Sequence, residues 1–136
     1  MDPLHALTVT EAAAEIRSGR LSPTAILEAL LARIGARDPE LKAWVWVDEK
    51  GALETARQRA TEAQHQQFRG PLHGIPVGVK DIYHVAGMTT TAGAGAFAHE
   101  RPTEDAESVA RLRQAGAIIL GKTKTTEFAY LDPADT

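Results

Sequence analysis

The stretch Gly70-Pro71-Leu72-His73-Gly74-Ile75-Pro76-Val77-Gly78-Val79-Lys80-Asp81 decides how this chain folds. Val77 and Val79 alternate with Gly78 and Lys80, the two-residue period of a strand. Pro76 suits the first strand position, where its missing N–H costs least. One side of the strand is apolar and faces a core. The other carries a glycine without a side chain and then a long amine. That side lets other backbone come close to Lys80, and partial burial there would disfavour the charged ammonium. A neutral lysine is a base, and bases activate hydroxyl nucleophiles. The ordinary alternative is a solvated lysine at a strand end, since lysine is seldom fully buried.

Downstream of this strand, residues 87–95 are rich in glycine and threonine and read as a loop. Val109, Leu112 and Ala115 mark a helix, and Ala117-Ile118-Ile119-Leu120 a second strand. Two strands joined through a helix predict a parallel pair with a right-handed crossover. The unbroken Ala-Ile-Ile-Leu run predicts that both faces of the second strand are covered.

Upstream, Thr8 and Glu11 have capping-box spacing at the start of a helix that runs to about Ser18, with Gly19 ending it. Ser22 caps a second helix with Pro23 at its first position. Ile26, Leu27, Leu30, Leu31 and Ile34 form its apolar stripe, and Asp38-Pro39 is expected to stop it. Residues 43–47 predict a short strand with Trp44 and Trp46 on one side and Val45 and Val47 on the other. The tryptophans read as packing residues. A further helix places Leu53, Ala56, Ala60 and Ala63 inward and Glu54, Arg57, Arg59 and Glu62 towards water. The fold class is α/β: N-terminal helices followed by part of a mixed or parallel sheet flanked by helices.

Length and composition narrow the class further. At 136 residues the chain suits one domain, and 43% apolar with 24% charged residues is the balance of a soluble globular protein. Aromatics make up only 5%, so the core must be aliphatic and alanine-rich. A net charge of −3 without a block of like charges gives no reason to expect a nucleic-acid partner. The absence of cysteine excludes disulfides, thiolate metal sites and a cysteine nucleophile within these residues. Residues 1–5 are neither basic nor apolar, so no secretory signal is expected. No apolar stretch approaches the roughly 20 residues of a membrane span. The expected location is the cytoplasm, with no membrane partner.

Three short motifs compete for attention. Gly116-Ala117-Ile118-Ile119-Leu120-Gly121-Lys122-Thr123 matches the phosphate-binding pattern G-x-x-x-x-G-K-T letter for letter. In such a loop the four intervening residues wrap phosphate with their amides, whereas here they are the strand itself. Nucleotide binding is therefore not expected. Gly93, Gly95 and Ala98 loosely fit a dinucleotide fingerprint, but only Thr89-Thr90-Thr91 precedes them where a strand is required. The histidines at 5, 65, 73, 84 and 99 have no helical pairing and no metal spacing. His73, beside the first strand, is the only one placed to matter, and a packing role accounts for it equally well.

Taken in order, several blocks resemble the amidase signature family. They are Gly70 to Pro76, Val79-Lys80-Asp81, Val85 to Gly93, Asp105-Ala106, Ala115-Gly116-Ala117, Gly121-Lys122-Thr123 and Glu127-Phe128-Ala129. About half the chain is covered in one register. The resemblance implies the family's fold, here incomplete. It divides the chain into an N-terminal helical segment with one short strand, residues 1–66, and the first part of the α/β core, residues 67–136. It implies hydrolysis of a carboxamide, or transfer of its ammonia, by a nucleophilic serine, a second serine in a cis peptide and a lysine. By resemblance Lys80 is that lysine and the catalytic residue of this chain. Asp81 resembles the acidic neighbour of the lysine; orienting loops by accepting backbone amides and plain structural capping both fit it.

The same resemblance places the two serines in a Gly-Ser-rich segment shortly after Glu127-Phe128-Ala129. The sequence reaches Thr136 without one, and its serines, Ser18, Ser22 and Ser108, read as caps or surface residues. The 136-residue chain alone is therefore expected to be inactive. The implied chemistry is acyl transfer to serine, with a small-molecule amide as substrate and no metal or organic cofactor; a homo-oligomer is compatible with it. Ile82 stands where the A subunits of tRNA-dependent amidotransferases usually carry asparagine, and Lys124-Thr125-Thr126 where they carry a methionine-containing stretch. Both departures favour a free-standing amidase over such an amidotransferase component. A non-catalytic binding or assembly module is the contrasting reading, and the reading frame after codon 136 would separate the two.

Overall fold

The structure, a computed structural model, describes residues 3–130. Residues 1–2 and 131–136, the outer ends of the two expected segments, lie outside the described residues.

Helix α1 (Val9–Arg17) opens with the expected capping box. Glu11 N–H donates to Thr8 Oγ1 at 3.2 Å while Thr8 N–H donates to Glu11 Oε2 at 2.8 Å. Helix α2 (Pro23–Leu41) starts at the expected Ser22 cap, but Pro39 does not stop it. The helix runs through Pro39 and ends at Lys42, whose left-handed backbone returns its N–H to Asp38 O at 2.7 Å. The Asp38 carboxylate then accepts Ala43 N–H at 2.7 Å and Trp44 N–H at 3.2 Å. A proline one turn from a helix end removes a single backbone bond, and these contacts offset that loss.

Strand β1 (Trp44–Val47), helix α3 (Glu49–Gln64), strand β2 (Pro76–Lys80), helix α4 (Glu107–Gln114) and strand β3 (Ile118–Thr123) complete the regular elements. The sheet order is β1-β3-β2, with β2 parallel and β1 antiparallel to β3. The expected parallel pair joined through a helix is therefore present within a mixed sheet.

Both faces of β3 are covered, as its sequence implies. Ile118 and Leu120 pack with Leu27, Ala52 and Ala56 of α2 and α3. Ile119 packs on the other side with Val79, Val85, Met88 and Val109. Each of the Val, Leu, Ile and Met side chains contributes about 1.5–3 kcal/mol of burial. A third cluster ties α1 and the start of α2 to Ile75, just ahead of β2.

Two expectations fail on packing detail. The alternation along β1 is broken by a register shift between Trp44 and Trp46, so Trp44 and Val47 are half-buried while Val45 and Trp46 are exposed. Arg59, expected to face water, is 6% exposed. Its guanidinium meets Glu62 Oε2 at 2.5 Å, a charge partner that makes burial tolerable.

Candidate active site

Strands β2 and β3 run parallel, so their carboxyl ends, Lys80 and Thr123, lie side by side in register. A cleft of about 280 Å³ opens at that end. Asp81 follows β2 into its wall, Lys124 and Thr125 follow β3, and Thr91, Gly93, Ala94, Gly95 and Val45 complete it. The carboxyl ends of parallel strands are where open α/β sheets place ligands. Gly93 is shaped for this corner: its φ is +72°, and a Cβ there would stand 2.9 Å from Thr126 O.

Lys80 is the last residue of β2 and its side chain is exposed. The expected partial burial of its amine is absent among the described residues; alternation instead buries Val79 and Asp81 on either side of it. Tyr83 N–H donates to Lys80 O at 3.0 Å, turning the chain immediately after the strand.

The polar centre of the region belongs to Lys122 and Asp81, both fully buried. Lys122 Nζ lies 2.7 Å from Asp81 Oδ1. It also donates to Thr90 Oγ1 at 2.8 Å and to Thr89 O at 3.2 Å. Asp81 Oδ2 accepts the Thr91 hydroxyl at 2.5 Å and the Thr91 N–H at 3.2 Å. Asp81 also uses its main chain, receiving Ala92 N–H at 2.9 Å and donating to Thr123 O at 3.0 Å. Asp81 thus accepts a loop amide, as one of its two readings expected.

Lys122 was assigned no role by the sequence. Strict alternation from Ile119 would put it on the opposite side of the sheet from Val79. The register slips between Val77 and Gly78, however, where Ile119 and Gly121 become successive partners, and Lys122 then pairs with Val79. The signal that was available is the strand continuing beyond Leu120 through Gly121-Lys122-Thr123. The same continuation disposes of the phosphate-loop match: β3 lies between two strands, so its amides belong to ladders.

His73 is buried in a packing role. Arg69 N–H donates to its Nδ1 at 3.2 Å, so Nε2 carries the proton and donates to Arg59 O at 2.9 Å. The three serines behave as expected of caps and surface residues. Ser22 Oγ accepts Thr24 N–H, Ser18 Oγ donates to Glu15 O, and Ser108 is an exposed residue of α4.

The sheet and the cleft at its carboxyl end define an α/β protein of the open, helix-flanked class. Its family follows from comparison: the sequence profile described as Amidase matches residues 25–135, and the chain belongs to that amidase (amidase signature) family. It is 42% identical over 130 residues to the "Putative amidase AmiD" of Mycobacterium tuberculosis, covering 96% of this chain and 27% of that protein. It is 40% identical over 129 residues to the A subunit of the glutamyl-tRNA(Gln) amidotransferase of Chloroflexus aurantiacus, covering 95% and 26%. The native peptide amidase of Stenotrophomonas maltophilia superposes with a TM-score of 0.86 at 40% identity, over 93% of this chain and 26% of that one. The chain therefore spans 26–27% of the length of these curated relatives.

Proposed function

We propose that the whole protein carrying this chain is a free-standing serine amidase that hydrolyses a small carboxamide to an acid and ammonia or an amine. In this reading the chain supplies one member of a Ser–cis-Ser–Lys relay, Lys80. The observation that carries it is the position of Lys80, solvent-accessible at the carboxyl end of a parallel strand and next in sequence to Asp81, which lines the cleft there while Lys80 itself does not. Membership of a family whose relatives are named amidases supports the reaction class.

In this reading the Lys80 amine accepts a proton through the cis-peptide serine. The nucleophilic serine thereby loses its proton and attacks the amide carbonyl carbon. Backbone N–H groups stabilise the oxyanion. The C–N bond breaks as the nitrogen takes up the proton, and water then releases the acid from the acyl-serine. The amidotransferase reading draws on an equally extensive match, but Ile82 and Lys124-Thr125-Thr126 support the free-standing enzyme.

The test is turnover of a panel of simple amides by the whole protein and its Lys80 variants. Lys80→Ala is expected to lose at least the ~10²–10⁴-fold attributed to a general base. Lys80→Arg is expected to be nearly as damaging, because a guanidinium stays protonated and accepts nothing. Near-normal turnover by Lys80→Arg would remove Lys80 from the base role.

A further inference from the structure

A buried ion pair contributes little net stability, because removing two charges from water costs about what their attraction returns. Lys122 sits beside an aliphatic cluster of Val79, Met88 and Ile119, where an aliphatic residue would serve the core as well. The charges do something an aliphatic residue could not. Lys122 grips Thr89 O and Thr90 Oγ1, and Asp81 grips the hydroxyl and N–H of Thr91. Three successive loop residues are held from the two ends of a single ion pair, and the chain then passes directly into the cleft wall at Gly93 and Ala94.

Asp81 is also the residue after Lys80, anchored to β3 by its N–H and to Ala92 by its carbonyl. The end of β2 and the cleft-lining loop are thus fixed to each other through one residue, by its main chain and its carboxylate. Lys80 lies on the opposite side of the strand from that carboxylate, as the buried–exposed–buried pattern of Val79, Lys80 and Asp81 records.

We propose that the Lys122–Asp81 pair is a positioning device: it locks the Thr89–Thr91 segment to the end of β2 and so fixes the strand end that holds Lys80 beside the cleft-lining Asp81. This rests on the reading of Lys80 as the base. Lys122 does not line the cleft and acts through Asp81 and the Thr89–Thr91 segment. A displacement near 1 Å from a change remote from the chemistry can cost on the order of 10²-fold in rate.

The experiment measures kcat, KM and the thermal midpoint of the whole protein for Lys122→Met, Thr90→Val, Thr90→Ser and Lys80→Ala. Assays run well below each midpoint, so that a purely structural loss leaves kcat untouched. Lys122→Met is expected to lower kcat about 10- to 100-fold with KM within about twofold, the mark of a lost transition-state geometry. Thr90→Val, which deletes one of the three oxygen partners of Lys122 together with the 3.4 Å bond from the same hydroxyl to Tyr83 O, should lower kcat about fivefold with KM unchanged, and Thr90→Ser should restore it. Should Lys122→Met fail to fold, Thr90→Val decides.

Wild-type kcat in the folded Lys122→Met protein overturns the proposal, as does an effect confined to KM. If Lys122→Met does not fold, wild-type kcat in Thr90→Val overturns it. Lys80→Ala separates the two failures. If it is inactive while the others keep full kcat, positioning alone is wrong. If it is active, the base assignment falls and the proposal with it.

Discussion

Lys80 and Lys122 sit on adjacent strands, one step apart in the ladder, yet water reaches only the first. An exposed lysine can be truncated at small cost, whereas truncating one partner of a buried pair strands the other as an uncompensated charge. Lys122→Ala is therefore expected to destabilise the protein by about 3–5 kcal/mol, and Lys80→Ala by less than about 0.5 kcal/mol. Denaturant midpoints of the two variants check this, and equal losses would contradict the burial difference. The placement of Lys80 at the end of β2 was legible in the sequence because a two-residue alternation and a strand-end position are local properties. Lys122 could not, because its side of the sheet depends on a register slip that no local pattern announces.

The elements around the site owe their register to two glycines that face different neighbours. A Cβ at Gly121 would stand 2.2 Å from Trp46 O and 2.9 Å from Val47 Cα, both backbone atoms of β1. One at Gly78 would meet the far end of the Trp44 ring at 2.8 Å and Thr123 Cγ2 at 3.1 Å. A side chain can rotate away, but a paired strand cannot move without losing its ladder. Gly121→Ala is accordingly expected to cost about 3 kcal/mol or more and Gly78→Ala about 1 kcal/mol. Unfolding midpoints measure the order, and a larger loss at Gly78 would refute the close approach of β1 to β3. The capped starts of α1 and α2 were legible because Thr8, Glu11 and Ser22 act on amides within three residues. The break in β1 and the survival of α2 through Pro39 were not: one depends on pairing with a strand some 75 residues on, the other on a carboxylate capping the next turn.

Across the molecule, a single sheet takes β1 from the first expected segment and β2 and β3 from the second. A second link between those segments is ionic. Glu62 of α3 meets Arg69, in the loop before β2, at 2.6 Å and Arg59 at 2.5 Å. The Arg69 hydrogen bonds, with those of Arg59, hold the Glu62 carboxyl down from an ordinary value of 4.5 to about 2. A carboxyl whose folded value is depressed stabilises the fold fully above its unfolded value and loses that contribution as pH falls towards the folded one. For Glu62 the window runs from pH 4.5 down to about 2. The side chain is 21% exposed, so solvent screening reduces the contribution to on the order of 2 kcal/mol. Glu62→Gln should thus be less stable than wild type near neutrality by about that amount, and the gap should shrink by roughly half between pH 6 and pH 3. Paired urea titrations of the two proteins at both pH values measure the gap. A difference that stays constant with pH would mean that Glu62 joins α3 to the loop by packing, with no contribution from its charge.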